Sequence, residues 1–181
     1  MSWARATVAP PRMPGHDPRM AIDRRELEEL IPALRRYARG LAGNRAAGDD
    51  MVQDALLLAL DRERQFRGGK LKPWVFAILS NVGRSAYRAR SRQASSVVDA
   101  DPPDAGTDPA MRVSVLAALS ALPDEQRQTL LLTAVEGFSY REAAEILGVP
   151  VGTIMSRLSR ARATLAERLE GAEIVALRRP R

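Results

Sequence analysis

The stretch that most constrains this chain is SYREAAEILGVPVGTIMSRLSRARATL, residues 139–165. Ser139 followed three residues later by Glu142 is a capping box, and it opens a helix over Tyr140 to Leu147. Gly148-Val149-Pro150 is a turn, and a second helix runs from about Val151 to Leu169. Ala144, Gly148 and Ile154 have the spacing of a helix-turn-helix. A small residue is needed where the helices cross, glycine suits a left-handed turn, and an isoleucine returns to the core. Ile154, Leu158, Ala161 and Leu165 face that core. By elimination Thr153, Ser156, Arg157 and Arg160 share the outer face, at i, i+3, i+4 and i+7. A recognition helix meets base edges in the major groove with its N-terminal part. Arg162 and Arg168 are better placed for phosphates. The competing reading is a helical hairpin with a merely solvated polar face. Against it stand the spacing, the capped first helix and the absence of any acid from Val151 to Leu165.

The rest of the chain reads as helices too. Leu27, Leu30, Ile31, Leu34, Tyr37, Ala38 and Leu41 recur at helical spacing, after an Asp23/Glu26 capping box. A second helix covers about Ala46 to Leu60 and buries Val52, Ala55, Leu56 and Ala59. Its opposite face holds Asp50, Gln53, Asp54, Leu57 and Asp61. A loop with Gly68-Gly69 leads to Pro73 in the first turn of a third helix, which Gly83 is expected to interrupt. Beyond it Arg84, Tyr87, Arg88, Arg90 and Arg92 follow with no acid among them. Residues 93–110 are rich in Pro, Gly, Ser and Asp and read as an acidic, flexible linker. A further helical group starts near Val113. It includes a helix opened by Pro123, Asp124 and Glu125, with Leu130, Leu131, Ala134 and Val135 as its apolar stripe. No strand pattern of any length is present.

Composition narrows the function classes. Hydrophobic residues make up 45% but aromatics only 4%, so the core must be aliphatic, which favours an all-α fold. There is no cysteine, which excludes disulfides and thiolate metal sites and fits a reducing compartment. The one histidine, His16, lies in a Pro-rich N-terminal tail expected to be disordered, where Met20 is a second candidate start. No membrane span or signal peptide is expected, and no phosphate-binding glycine loop, metal cluster or nucleophile with a base is found. No enzyme and no cofactor is therefore expected. The net charge is +6, and it is nearly all arginine, the only lysines being Lys70 and Lys72. The arginine fork suits phosphates and base edges.

Three stretches carry a family resemblance: LAGNRAAGDDMVQDALLLAL, KPWVFAILSNVGRSAYRARSR, and the run from LPDEQR through SRARATL. In this order, with an acidic linker between, they resemble the extracytoplasmic-function sigma factors of bacterial RNA polymerase. The wording is most similar to the general-stress-response branch. The resemblance implies two small helical domains joined by a flexible linker. Residues 1–22 form a tail, 23–92 sigma region 2, 93–110 the linker, 111–170 the helix-turn-helix of sigma region 4, and 171–181 a C-terminal tail. It implies a cytoplasmic protein that binds core polymerase at the β′ clamp helices and β flap, binds promoter DNA, and is controlled by an anti-sigma factor. Polymerase binding falls on Asp50, Gln53, Asp54 and Leu57. Opening of the −10 element falls on Asn81, Arg84, Tyr87, Arg88, Arg90 and Arg92. Reading of the −35 element falls on Thr153, Ser156, Arg157, Arg160 and Arg162. Two positions depart from the family pattern: Ala86, where relatives carry an acid, and Met155, where many carry a lysine. Two alternatives stay open, a sigma-like decoy that captures an anti-sigma factor and a stand-alone helix-turn-helix regulator.

Overall fold

A computed structural model describes residues 22–92 and 117–168. The expected linker and tails lie outside the described residues, except Ile22, which is buried in the core with its N–H donating to Glu63 Oε1; the side chains of Arg90 and Arg92 also lie outside them. The described chain is helical, with no strand among the described residues. The first half holds α1 (Arg24–Ala42), α2 (Arg45–Asp61), a short 3-10 turn (Glu63–Gln65) and α3 (Leu71–Arg92). The second half opens with a helical segment at 117–120. It continues with α4 (Asp124–Leu130), a π-turn (Leu131–Val135), α5 (Tyr140–Leu147) and α6 (Val151–Arg168).

Local signals set most of these boundaries. The Asp23 side chain accepts from the Arg25 N–H at the start of α1, and Gly43 ends that helix at φ 81°. Asn44 caps α2 through the Ala47 N–H. The Ser139/Glu142 capping box is complete in both directions, and Gly148 closes α5 at φ 65°. The third helix begins at Leu71, with Pro73 in its first turn as expected, but it differs from expectation in passing through Gly83 unbroken. That glycine serves packing. A β-carbon there would come within 3.0 Å of Leu41 Cδ1 and Met51 Cε, so its bare backbone lets α3 approach α1 and α2.

In the first half, Leu34, Tyr37, Ala38, Ala55, Ala59, Val75 and Leu79 are fully out of water. Tyr37 is buried in this core, where its hydroxyl meets Ser80 Oγ at 2.8 Å, and Ser80 donates to the Phe76 carbonyl. Burial pushes the phenol pKa far above its usual value, so it is neutral at any physiological pH. In the second half, Ile154, Leu158 and Ala161 of α6 pack with Ala143, Ala144, Ile146 and Leu147 of α5. These are the helix-turn-helix contacts that the spacing implies.

The two halves share one continuous apolar core. Phe76 of α3 meets Phe138 edge to face, with centroids 5.0 Å apart. Leu131 lies on Gly40 of α1, where a β-carbon would come within 2.8 Å of it. The π-turn shapes this contact. The Thr133 hydroxyl bonds the Thr129 carbonyl, and the Glu136 N–H reaches back five residues to Leu131. Gly137 at φ 73° then lets the Phe138 N–H close on the Leu132 carbonyl, and Phe138 turns into the core.

Two outcomes test this packing. At Gly48 a β-carbon would meet Arg39 N and Cα at 2.9 and 3.0 Å, backbone that cannot step aside. Gly48→Ala is therefore expected to destabilise by about 1–2 kcal/mol in urea unfolding, overpacking outweighing the ~1 kcal/mol helix preference of alanine. Glu142 is held below the usual carboxylate range, first by the Ser139 N–H and then by the Ser139 hydroxyl, with Lys70 adding to it. A lowered folded pKa means its stabilisation is complete above the unfolded value, near ~4.3, and is lost as pH falls through the folded value. Glu142→Gln should flatten the acid limb of the stability-versus-pH curve in that window while leaving neutral pH less affected.

Candidate functional site

Three surfaces carry the residues that the sequence singles out. The first is the outer face of α2. Asp50, Gln53 and Leu57 are exposed and Asp54 is half-buried. Leu57 is 66% exposed, a large apolar side chain in water within a polar and acidic surround. The Asp54 pKa is raised, first by partial desolvation and second by the neighbouring Asp50 carboxylate. The surface therefore concentrates negative charge around one apolar centre, the composition of a docking patch for a basic protein partner.

The second surface is the C-terminal half of α3. Asn81 and Arg84 are half-buried, and Tyr87 and Arg88 are exposed. Tyr87 and Arg84 both look toward the second half of the chain. The Arg127 guanidinium stands over the Tyr87 ring, 5.6 Å from its centroid. Arg84 lies near enough to Asp124 to stabilise its carboxylate, together with Arg127. Desolvation is the larger effect on Asp124 and pushes its pKa up. Trp74 is a core residue, packed on Phe66 at 5.2 Å.

The third surface is α6. Ser156 and Arg160 are exposed, Thr153 and Arg162 half-buried. Arg157 differs from the expected arrangement. Its side chain is 14% exposed and forms a 2.5 Å ion pair with Glu125 of α4. The exposed face is instead centred on Ser156, with Gly152, Ser159, Arg160 and Ala163 around it. Ser159 was not singled out from the sequence. A wheel anchored on the buried Ile154, Leu158 and Ala161 puts its open side there, about 90° from the Thr153/Arg157 edge. Met155 is exposed beside this face.

Comparison with known proteins decides the family. Residues 112–165 match the model of sigma-70 region 4, and residues 27–80 match the model of the sigma2 domain of PhyR. The chain is 42% identical over 161 residues to the ECF RNA polymerase sigma factor EcfG of Rhodopseudomonas palustris, covering 83% of this chain and 87% of that protein. The chain belongs to the extracytoplasmic-function sigma factors, in the EcfG-like branch. Among solved structures it is similar to the sigma factor RpoE of Bartonella quintana, in complex with the anti-sigma factor NepR. That match has 35% identity and a TM-score of 0.72, and covers 82% of this chain and 96% of that one. It is also similar to a chain of the PhyRSL–NepR complex of Sphingomonas sp. Fr1, at 27% identity and a TM-score of 0.60, covering 84% and 92% of the two chains. A sigma factor directs polymerase to promoters, and the polymerase carries out the chemistry. No helix among the described residues is long and apolar enough to cross a membrane.

The α2 patch yields a direct test. Leu57→Ala is expected to weaken binding to core RNA polymerase about tenfold, as truncation of an apolar centre does at an interface. Unfolding of the variant should stay within ~0.5 kcal/mol of the parent, because the side chain stands in water. Fluorescence anisotropy of labelled protein against core polymerase checks the first, and urea unfolding the second.

Proposed function

We propose that this sigma factor works through the three surfaces in distinct roles. The face bearing Asp50, Gln53, Asp54 and Leu57 docks on core polymerase. The α3 segment with Asn81, Arg84, Tyr87, Arg88, Arg90 and Arg92 holds the opened −10 element. The face of α6 with Ser156 and Arg160, flanked by Thr153, Arg157 and Arg162, reads the −35 element. The observation that carries this reading is the separation of charge: an acidic, apolar-centred face on α2, against an exposed α6 face with no acid in it. Opening strands calls for cationic contacts to the backbone and a surface on which an unstacked base can rest. Arginine fits the first and Tyr87 the second. Residues 23–92 and 111–170 would act as two functional units across the 93–110 linker. Each binds modestly, and they gain by effective concentration once polymerase fixes their spacing.

The reading extends to regulation. RpoE of Bartonella quintana is found in complex with the anti-sigma factor NepR, and its similarity to this chain supports control by an anti-sigma factor. The proposed setting of that control is a stress response in the cytoplasm. The protein itself would catalyse nothing. A second reading, the decoy, is favoured by the match of residues 27–80 to PhyR's sigma2 domain. The retained arginines on α3 and α6 weigh against it.

Transcription reconstituted from the purified protein, core polymerase and fragmented genomic DNA of its source tests the proposal. Initiation downstream of a shared two-part motif is expected. Arg160→Ala should lower it by roughly 5- to 100-fold at promoters that keep a guanine at the contacted −35 position, the range of one lost bidentate contact. A folded protein that binds an anti-sigma factor but neither core nor promoters would make the decoy correct.

A further inference from the structure

We propose that the free chain closes on itself, and that the Arg36–Glu136 ion pair is the latch that must open before both promoter elements can be engaged. The inference rests on the sigma-factor reading for its consequence, but not for the latch itself.

The latch joins the halves of the molecule. Arg36 of α1 donates from Nε to Glu136 Oε1 at 2.9 Å and from Nη2 to Oε2 at 2.7 Å, a two-pronged contact across 100 residues of sequence. The Glu136 side chain is 0% exposed and the Arg36 side chain 55% exposed. The pair is thus asymmetric. The arginine head is already half in water, whereas the carboxylate is shielded, so losing the pair in the closed form would leave a buried charge uncompensated. Around it Lys72 donates to the Glu136 carbonyl at 3.2 Å and lies 4.7 Å over the Phe138 ring. Lys70 meets Glu142 at 3.2 Å on the exposed rim. Leu131 seated on Gly40 and Phe138 against Phe76 form the apolar centre. In the proposed latch the charge pair specifies one arrangement of the halves, where apolar contact alone could hold several.

Closure conflicts with promoter binding on geometric grounds. The −10 and −35 elements lie about 25 base pairs apart, or roughly 85 Å at ~3.4 Å per pair. A compact chain of this length has a radius of gyration of about 16 Å and is roughly 40 Å across. The closed form cannot touch both elements at once. It also draws Tyr87 under Arg127 and Arg84 toward Asp124, so the −10 segment is engaged with the second half of the chain. The 24 residues between 92 and 117 can span at most ~3.5 Å each, about 85 Å, enough to allow the separation.

The chain contains no cysteine, so a labelled pair can be placed cleanly. Spin or fluorophore labels on Glu28→Cys and Ala166→Cys, both exposed, would report the distance between α1 and α6 in the full-length protein. The free parent is expected to show one short, narrow distance, and the polymerase complex a long one. Arg36→Ala and Glu136→Gln should each shift the free protein toward long distances, lowering the closed-to-open ratio at least about fivefold. Arg36→Glu combined with Glu136→Arg should restore part of the short population. Gly40→Gln, a wedge against Leu131 that leaves no buried charge unpaired, should open the chain even if the Glu136 variant folds poorly. A broad or long distance in the free parent would overturn the proposal, as would variants that leave a short distance unchanged. The free-protein measurement needs no polymerase. Loss of core binding alone would therefore strike the functional reading, and loss of closure alone would strike the latch.

Discussion

A carboxylate with no access to water needs a charge beside it, and Glu136 finds its charge in the other half of the chain. Much else in the structure follows from that requirement. The π-turn delivers Glu136 one residue later than a regular helix would, and Gly137 lets the chain reverse so that Phe138 lands on Phe76. Gly40 leaves α1 without a side chain where Leu131 arrives. Thr133 gives its hydroxyl to the Thr129 carbonyl across the distorted turn. Each residue would be ordinary elsewhere. Together they make a polar contact that tolerates one relative placement of the halves.

The individual helices were legible in the sequence because their signals are local. Asp23, Asn44, Ser139 with Glu142, Gly43 and Gly148 each act within four residues of the boundary they set. The helix-turn-helix was legible for the same reason, since Ala144, Gly148 and Ile154 meet through one turn. Gly83 misled because a glycine inside an apolar run reads as a break, while its use here is long-range, against Leu41 and Met51. The packing of the two halves was not legible. Arg36 and Glu136 look like two surface charges among many, and nothing in their neighbours announces a partner 100 residues away. The π-turn was hidden too, because LLTAV carries the same apolar periodicity whether it closes four or five residues back.

The candidate surfaces divide in the same way. The acidic face of α2 was evident from spacing, since helix periodicity alone puts Asp50, Gln53 and Leu57 together. The α6 face was legible only in outline. Elimination placed Arg157 outward because arginine is polar, yet its long stem can lie along a neighbour while the guanidinium finds an acid. Glu125, at the positive end of α4, supplies that acid. The position of Glu125 was visible in the sequence as a helix-start signal, but its reach to α6 was not.

The Glu125–Arg157 pair bears on how such a protein distinguishes DNA from itself. An arginine-rich chain with 22 acidic side chains offers its own arginines internal carboxylates at every turn. Arg36, Arg127 and Arg157 all take one. Glu125 is 66% exposed, so its pairing with Arg157 is screened by salt and open to exchange with a phosphate. Glu136 is shielded from solvent, and its pairing yields only when the halves part. Two arginines of the same chemistry thus stand at different thresholds, set by the burial of the acid each one meets. Arg160, on the open face of α6, has no acid within a turn of its own helix, and in the proposed role it would be the first to meet a phosphate. Such a graded release would let DNA be sampled by one half of the molecule before the other half is committed.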